Sequence, residues 1–385
     1  MNAAFSVYIH IPFCVKKCAY CDFASYGGCM EQMGAYVDAV CREIRAQAAL
    51  FVKRRVKTVF FGGGTPTLMT GEQVQRVMDA LGTHFYIEET AEITMEGNPG
   101  TLTAERLRAY QAAGVNRLSI GVQSMDDGLL AAIGRIHTTA QAVQAVRLAR
   151  EAGFDNLNLD LMYGLPGQTA QIWRETLEAA LALAPEHLSC YSLILEEGTP
   201  LCAAVRAGTC APLPDEEEMD AMDALTAKLL DAAGYTRYEV SNWAKPGRQC
   251  RHNIVYWECE PYLGVGAAAH GEVDGMRFEH TADIGEYIKN CENPACLNRP
   301  EGNNTREDRM FERAMMGLRM ICGMDAQRFA QDFGQEPQTV WQRTIPQMIR
   351  DGLMVMTKER LALTRRGMDV MNGVLTRMME EFPGD

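Results

Sequence analysis

The sequence predicts an α/β fold built on a parallel sheet, and two observations carry that prediction. First, six short apolar runs at 6–12, 56–62, 91–96, 117–123, 156–163 and 187–195 alternate with stretches whose apolar residues recur at helical spacing. Those stretches are Met33–Leu50, Gly71–Leu81, Thr103–Ala113, Ala140–Ala152 and Gln171–Ala182. Second, Asp, Ser or Thr stands before the helices and Gly after them (Gly114, Gly153), as cap chemistry requires. Repeated βα units imply parallel strands with right-handed crossovers. Six of them fit an open, partial barrel or a doubly wound sheet, and periodicity does not choose. In both, ligands bind at the C-terminal ends of the strands.

The 385 residues suffice for one large domain and a smaller one, and 47% hydrophobic content supports a full core. No apolar run reaches the length of a membrane span, and the chain enters its first strand without a basic, apolar leader. The expected location is the cytoplasm, without stable membrane insertion. In a reducing compartment the 13 cysteines should be free thiols or metal ligands, not disulfides. A net charge of −13 disfavours nucleic acid and anionic lipid as partners.

The first strand, Val7–Phe13, runs into Cys14-Val15-Lys16-Lys17-Cys18-Ala19-Tyr20-Cys21. A tight loop can turn three thiolates toward one point, and soft thiolates suit an iron–sulfur cluster or zinc. Zinc would want a fourth ligand nearby, and no second C-x-x-C exists in the chain. Three ligands suggest a 4Fe–4S cluster with one iron open to substrate or cofactor; ordinary buried thiols are the bland alternative. Phe61-Gly62-Gly63-Gly64-Thr65-Pro66-Thr67 ends the second strand, where glycines allow close backbone approach to a ligand or simply a tight βα turn. Glu96 ends the third strand, Gln123 the fourth, Asp160 lies in the fifth, and Arg135 follows the fourth by a turn. Polar groups on buried strands are costly unless paired, so four at successive strand ends point to one pocket. Glu96 and Asp160 could also form a general acid/base pair.

The spacing C-x-x-x-C-x-x-C resembles the cluster loop of radical S-adenosylmethionine (SAM) enzymes. The longer string Y-x-H-x-P-F-C-x-x-x-C-x-Y-C, from Tyr8 to Cys21, is similar to the branch holding the oxygen-independent coproporphyrinogen III oxidases and the HemW-type haem chaperones. The resemblance decides for a partial (β/α)6 barrel. It implies that Cys14, Cys18 and Cys21 hold the 4Fe–4S cluster, and that Gly63, Gly64 and Thr65 contact the amino-acid end of SAM. It further implies that Glu96, Gln123, Arg135 and Asp160 hold SAM together with Tyr8, Tyr20 and Ile194. The segment Asn158–Thr169 resembles the family's fifth strand and turn.

Beyond the sixth strand, Glu196–Pro214 reads as a long loop with Gly198, Pro200, Gly208, Pro212 and Pro214 as breakers. Asp215–Gly234 reads as an acid-capped helix and Tyr235–Trp243 as a further strand. His252-Asn253-Ile254-Val255-Tyr256-Trp257 follows. Its His is a core residue or an axial haem ligand, and its aromatics could wall a porphyrin. The string H-N-x-x-Y-W resembles the haem-binding motif of the HemW-type chaperones, which implies haem as a cofactor and His252 as its ligand. Cys250 and Cys259 read as ordinary thiols, with no C-x-x-C-H for covalent attachment. Gly264–Gly271 reads as a flexible or closely packed turn and His270 as structural. Cys291–Asn304 reads as a linker.

From Thr305 the pattern is helical, then a hairpin over 352–356 and 361–364, then a helix from Arg366, a winged-helix-like module. Residues 358–377 carry a net +3, but overall acidity and the lack of a basic recognition helix argue against DNA. The expected divisions are 1–245 for the barrel, 246–304 for the haem-motif segment and linker, and 305–385 for the C-terminal domain. Three functions fit. One is a haem chaperone that passes haem to an acceptor protein, with membrane-bound respiratory enzymes among the candidates. Another is an oxygen-independent coproporphyrinogen III oxidase that cleaves SAM to a radical and abstracts hydrogen from a propionate. The third is an electron-transfer or regulatory protein using the cluster alone. The H-N-x-x-Y-W string and a start only seven residues before Tyr8, without the segment the oxidases carry there, favour the chaperone. The intact SAM residues leave catalysis open.

Overall fold

The computed structural model describes residues 4–51, 54–302 and 304–382. Six parallel strands form its centre: β1 (Phe5–Ile11), β2 (Arg55–Gly63), β3 (Tyr86–Gly97), β4 (Arg117–Gln123), β5 (Leu157–Tyr163) and β6 (His187–Ser192). Each pairs with the next in chain order, and all five pairings are parallel. A doubly wound sheet reverses its strand order at a switch point, and this one does not. The sheet is open, with twelve strands in all, and so forms a partial barrel.

Strand alternation explains which face goes where. Val7, Ile9, Ile11, Val59, Phe61, Ile93, Met95, Leu118, Ile120, Leu157, Leu159 and Leu188 join the apolar core. Val37, Val40, Ile44, Val74, Val77, Leu107, Val146, Trp173 and Leu177 join it from α1 (Met33–Leu50), α2 (Gly71–His84), α3 (Ala104–Ala112), α5 (Thr139–Glu151) and α6 (Ala170–Ala182), with the short α4 (Asp127–Ala132) preceding α5. The residues between them point the other way and bond to one another. Thr58 donates to Ser6 (2.7 Å), and Asn158 donates to Ser119 (2.7 Å). His187 Nδ1 meets Asn158 Oδ1 at 2.6 Å. Period-two alternation thus separates an apolar helix-facing surface from a polar concave one.

Three expectations are corrected. Glu196–Pro214 is not all loop: α7 (Pro200–Ala207) starts on a Thr199 side-chain cap with Pro at its first position and ends at Gly208, φ 65°. The helix of Asp215–Gly234 is α8 (Glu216–Ala232), and Tyr235–Trp243 resolves into two short strands, β7 (Thr236–Arg237) and β8 (Asn242–Ala244). Residues 291–304 are not a bare linker either, since they hold a short helix at Pro294–Leu297 and sheet strand Arg299–Pro300; Asn303 lies outside the described residues. The H-N-x-x-Y-W string forms α9 (Arg251–Trp257). Strand β9 (Tyr262–Val265) then pairs parallel to β1, and antiparallel strands at His270–Val273, Met276–Glu279 and Arg299–Pro300 extend the sheet. Gly264–Gly271 is closely packed, because a Cβ on Gly264 would lie 1.9 Å from the His270 carbonyl oxygen. His270 itself is surface-exposed and faces Glu301 at 3.1 Å.

Two compact units divide the chain. The first comprises Met1–Thr236, Trp243–His252 and Pro261–Glu301; the second comprises Arg237–Asn242, Asn253–Glu260 and Gly302–Asp385. The second has its own core of Met310, Leu318, Phe329, Trp341, Ile345, Met348, Leu361 and Met378. Its helices accompany a small antiparallel sheet in which Met354–Met356 pairs with Arg360–Leu363, and Met324–Asp325 joins the other edge.

Candidate functional site

The three loop cysteines are free and half-buried, just past the C-terminal end of β1. Four contacts fix their loop. His10 donates from Nε2 to the Ala24 carbonyl (2.8 Å), which leaves Nδ1 to accept from the Tyr8 hydroxyl (3.0 Å). Tyr26 N–H donates to Pro12 (2.7 Å), Ala19 N–H to Ile133 (3.0 Å), and Leu201 N–H to Ala19 (2.8 Å). Burial lowers His10 and raises the Cys21 thiol, the latter opposed by the Phe23 N–H and the charge of Lys17. Two sulfurs have side-chain donors: the Thr65 hydroxyl reaches Cys14 Sγ at 3.6 Å and Arg135 Nη1 reaches Cys18 Sγ at 3.5 Å. Among the described residues, no three His, Cys, Asp or Glu side chains close around a single metal ion. A cubane does not ask for that, because each thiolate binds a different iron. Soft, half-buried thiols with hydrogen-bond donors on their sulfurs fit a 4Fe–4S cluster.

The glycine turn after β2 is constrained from within the protein. A Cβ on Gly62 would meet Tyr8 and Phe60 at 2.9 Å, and one on Gly63 (φ +108°) would meet the His10 ring at 2.5 Å. One on Gly64 would lie 2.7 Å from the Phe13 carbonyl oxygen. The backbone donors are already used: Gly63 N–H on Glu96 Oε2 (3.1 Å), Gly64 N–H on Ile11 (2.9 Å) and Thr65 N–H on Phe13 (2.8 Å). Any ligand here would meet carbonyl oxygens, which suits an ammonium group better than an anion.

Behind the turn lie the carboxylates. Burial, then the neighbouring Asp160, pushes Glu96 up to about 8, with the Gly63 N–H opposing. Burial also raises Asp160, opposed by hydrogen bonds from Ser189, Ser119 (2.9 Å) and Asn158 (2.8 Å) and by the charge of Arg117. Two acids that resist ionising side by side make a site for a cation. Arg135 donates to Asn98 Oδ1 (2.6 Å) and to the Gly121 carbonyl. A Cβ on Gly121 would lie 3.2 Å from Arg135 Nη2, Asn98 Oδ1 and Gln123 Nε2 alike, so those three side chains converge. Gln123 is buried with φ 68°, a left-handed backbone that costs a non-glycine residue energy and is common at binding sites. Tyr20 packs beside Leu129, Ile133 and Leu165, and its hydroxyl, raised by burial, feels Arg135, Cys18, Cys21 and Asp160. Ile194 is the outlier among the expected residues, being 69% exposed.

The His252 ring lies beside that of Tyr8, with centroids 6.4 Å apart. It is fully buried against the middle of β2, with Nδ1 2.7 Å from the Thr58 hydroxyl, and it stacks on Phe60 with centroids 5.0 Å apart. Burial, Arg117 and Lys57 lower it to about 3, so the ring is neutral. Glu92 holds this end of α9 by accepting from the N–H groups of Arg251 (3.1 Å) and His252 (3.0 Å). As folded the ring is enclosed by protein and held by Thr58 and Phe60. Asn98 carries no expectation from the sequence, and His10 and Asn158 stand there only inside longer strings, without a role of their own. The signal for each was its in-register position on the polar side of a strand or just past the strand's end.

The comparisons with known proteins follow this geometry. The profile of the radical SAM superfamily matches residues 8–180, and that of the HemN C-terminal domain matches residues 304–370. A protein of Bacillus subtilis named heme chaperone HemW is 36% identical over 378 residues, covering 98% of this chain and all of that protein. Its namesake in Escherichia coli is 44% identical over 70% of both chains. A mouse protein named radical S-adenosyl methionine domain-containing protein 1, mitochondrial, is 34% identical over 98% of this chain and 88% of its own. The solved coproporphyrinogen III oxidase of Escherichia coli superposes with a TM-score of 0.84 at 24% identity, covering 98% of this chain and 91% of its own, a likeness of fold.

Proposed function

This chain belongs to the HemW-type haem chaperone family of radical SAM proteins, and from that membership we propose that it binds haem and a SAM-coordinated 4Fe–4S cluster and passes haem to an acceptor protein in the cytoplasm. The observation that supports the cluster most directly is the pair of hydrogen bonds to loop sulfurs, Thr65 on Cys14 and Arg135 on Cys18, beside two half-buried acids. Cys14, Cys18 and Cys21 would hold the cluster. The carbonyls of Gly63 and Gly64 with Glu96 would take the ammonium of SAM, while Asp160, Gln123 and Arg135 would take its other polar groups; Tyr8, Tyr20 and Ile194 would complete that site. The cluster, when bound, supplies an open iron and one-electron chemistry. The protein's part is to orient SAM, exclude water and keep Glu96 and Asp160 ready for a cation.

Haem is supported by the names of the relatives and by the H-N-x-x-Y-W string. Ligation through His252 would require α9 to open and release the ring from Thr58 and Phe60. Among the described residues no helix is long and apolar enough to cross a membrane.

The test is to reconstitute the protein anaerobically and titrate it with haem, then offer it coproporphyrinogen III, SAM and a reductant. A saturating Soret band without porphyrinogen product is the expected result. Product with 5′-deoxyadenosine and no stable haem complex would overturn it in favour of the oxidase. Cys18→Ala should lose iron and sulfide with the fold intact; unchanged iron would remove the cluster from this loop.

A further inference from the structure

The two sulfur donors described above are not independent. Asn98, in the turn after β3, sits between them. Its Nδ2 donates to Thr65 Oγ1 at 2.9 Å, and its Oδ1 accepts from Arg135 Nη2 at 2.6 Å. Thr65 in turn reaches Cys14 Sγ at 3.6 Å, and Arg135 reaches Cys18 Sγ at 3.5 Å. One amide therefore links two of the three cysteines through two short relays. We propose that Asn98 is a positioning residue that sets the hydrogen-bond donation to Cys14 and Cys18 and so tunes the reduction potential of the cluster they hold. The proposal rests on the reading that this loop binds a 4Fe–4S cluster.

The chemistry follows from donor counting. A threonine hydroxyl has one hydrogen and two lone pairs. When Asn98 Nδ2 occupies a lone pair of Thr65, the single hydrogen is left for the Cys14 sulfur. At the other end, Oδ1 accepts from one guanidinium nitrogen while the other nitrogen points at Cys18, and the planar fork of arginine fixes the angle between them. Gly121 makes room for the junction, since its Cβ would fall 3.2 Å from both Asn98 Oδ1 and Arg135 Nη2. Thr65 is almost fully buried, so water does not compete for its hydroxyl. Hydrogen bonds to cluster sulfurs favour the reduced, more negative state and raise the potential.

Asn98→Asp has the same shape and the opposite polarity at one end. A carboxylate would take the Thr65 hydrogen away from Cys14 and add negative charge near the cluster, and both effects make reduction harder. Asn98→Ala releases Thr65 and Arg135 without adding charge. The experiment is an electrochemical titration of anaerobically reconstituted wild type, Asn98→Asp and Asn98→Ala without SAM, followed by electron paramagnetic resonance of the reduced samples. The expected result is a midpoint shifted to more negative values in both variants, more so in Asn98→Asp, with altered resonance positions. Should Asn98→Asp refuse a cluster, Asn98→Ala carries the test. A wild-type midpoint in a cluster-bearing variant would overturn the proposal. So would loss of iron from both variants, because the amide would then brace the loop and not tune its sulfurs. A wild type that takes up no iron would instead defeat the cluster reading beneath it.

Discussion

Replacing Glu96 with Gln tests the electrostatics of the site without any cofactor. An ordinary glutamate titrates near 4.5, whereas burial and then Asp160 push Glu96 up to about 8. Below about pH 4.5 the folded and unfolded forms both carry the proton, and Glu96 costs the fold nothing. From there to about pH 8 the unfolded chain ionises while the folded protein stays protonated, so stability falls as pH rises. Above about 8 both forms are ionised and the gap stops growing. Each pH unit in the window is about 1.4 kcal/mol, which bounds the loss at about 5 kcal/mol. Glu96 is only half-buried at its surface, so water screens part of this; about 2–3 kcal/mol is the expected size. Asp160 shares the pocket, so the titration belongs to the pair. The assay is chemical unfolding of cluster-free wild type and Glu96→Gln at about pH 5 and about pH 8, reading the difference between the two proteins so that common effects cancel. The variant should match wild type at the lower pH and exceed it at the higher. A difference that does not change with pH, or one that moves in favour of wild type as pH rises, would refute the reasoning, since it would mean that Glu96 is ionised and partnered in the fold.

Three further outcomes are expected. In Gly64→Ala the new Cβ would press on the Phe13 and Ile11 carbonyl oxygens at 2.7 and 2.9 Å, and backbone cannot swing aside; we expect about 3 kcal/mol of lost stability and reduced iron uptake, checked by thermal melting and iron assay. Glu92→Ala should cost about 2–4 kcal/mol, because it leaves the N–H groups of Arg251 and His252 without their acceptor; amide exchange of residues 250–254 should speed up, and protection equal to wild type would deny Glu92 this role. His252→Ala should cost about 3 kcal/mol through the cavity it leaves. It should also weaken haem binding, whereas a less stable protein with an unchanged Soret titration would place the haem site elsewhere.

Much of the scaffold was legible, and what escaped did so for identifiable reasons. All six strands, five of the helices and the C-terminal hairpin follow from apolar periodicity and caps. Treating the strands as apolar runs, however, overlooked their alternation. Ser6-Val7-Tyr8-Ile9-His10-Ile11, Glu92-Ile93-Thr94-Met95-Glu96, Arg117-Leu118-Ser119-Ile120 and His187-Leu188-Ser189-Cys190 each put a polar residue at every second position. A doubly wound sheet is covered by helices on both faces and has no use for that pattern; a half-open barrel with a polar concave face requires it. The choice between the two architectures was therefore present in the strands themselves. The breakers around α7 likewise serve two purposes. Thr199-Pro200 and Gly208 are a start and a stop as much as they are loop residues.

His252 is a different case, because no local pattern decides it. A histidine beginning an aromatic helix has the same sequence whether its ring lies in a core or faces a ligand. In the fold Glu92, 160 residues away in the chain, accepts from the first turn of α9, and the ring stacks on Phe60. A neutral imidazole buried in this way can serve haem only if the cost of opening α9 is met by binding. The stability lost in Glu92→Ala measures part of that cost. If the haem site does use His252, loosening α9 through Glu92→Ala should strengthen haem binding even as it weakens the fold. If His252 is purely a core residue, the same variant should lose stability and leave haem affinity as it was.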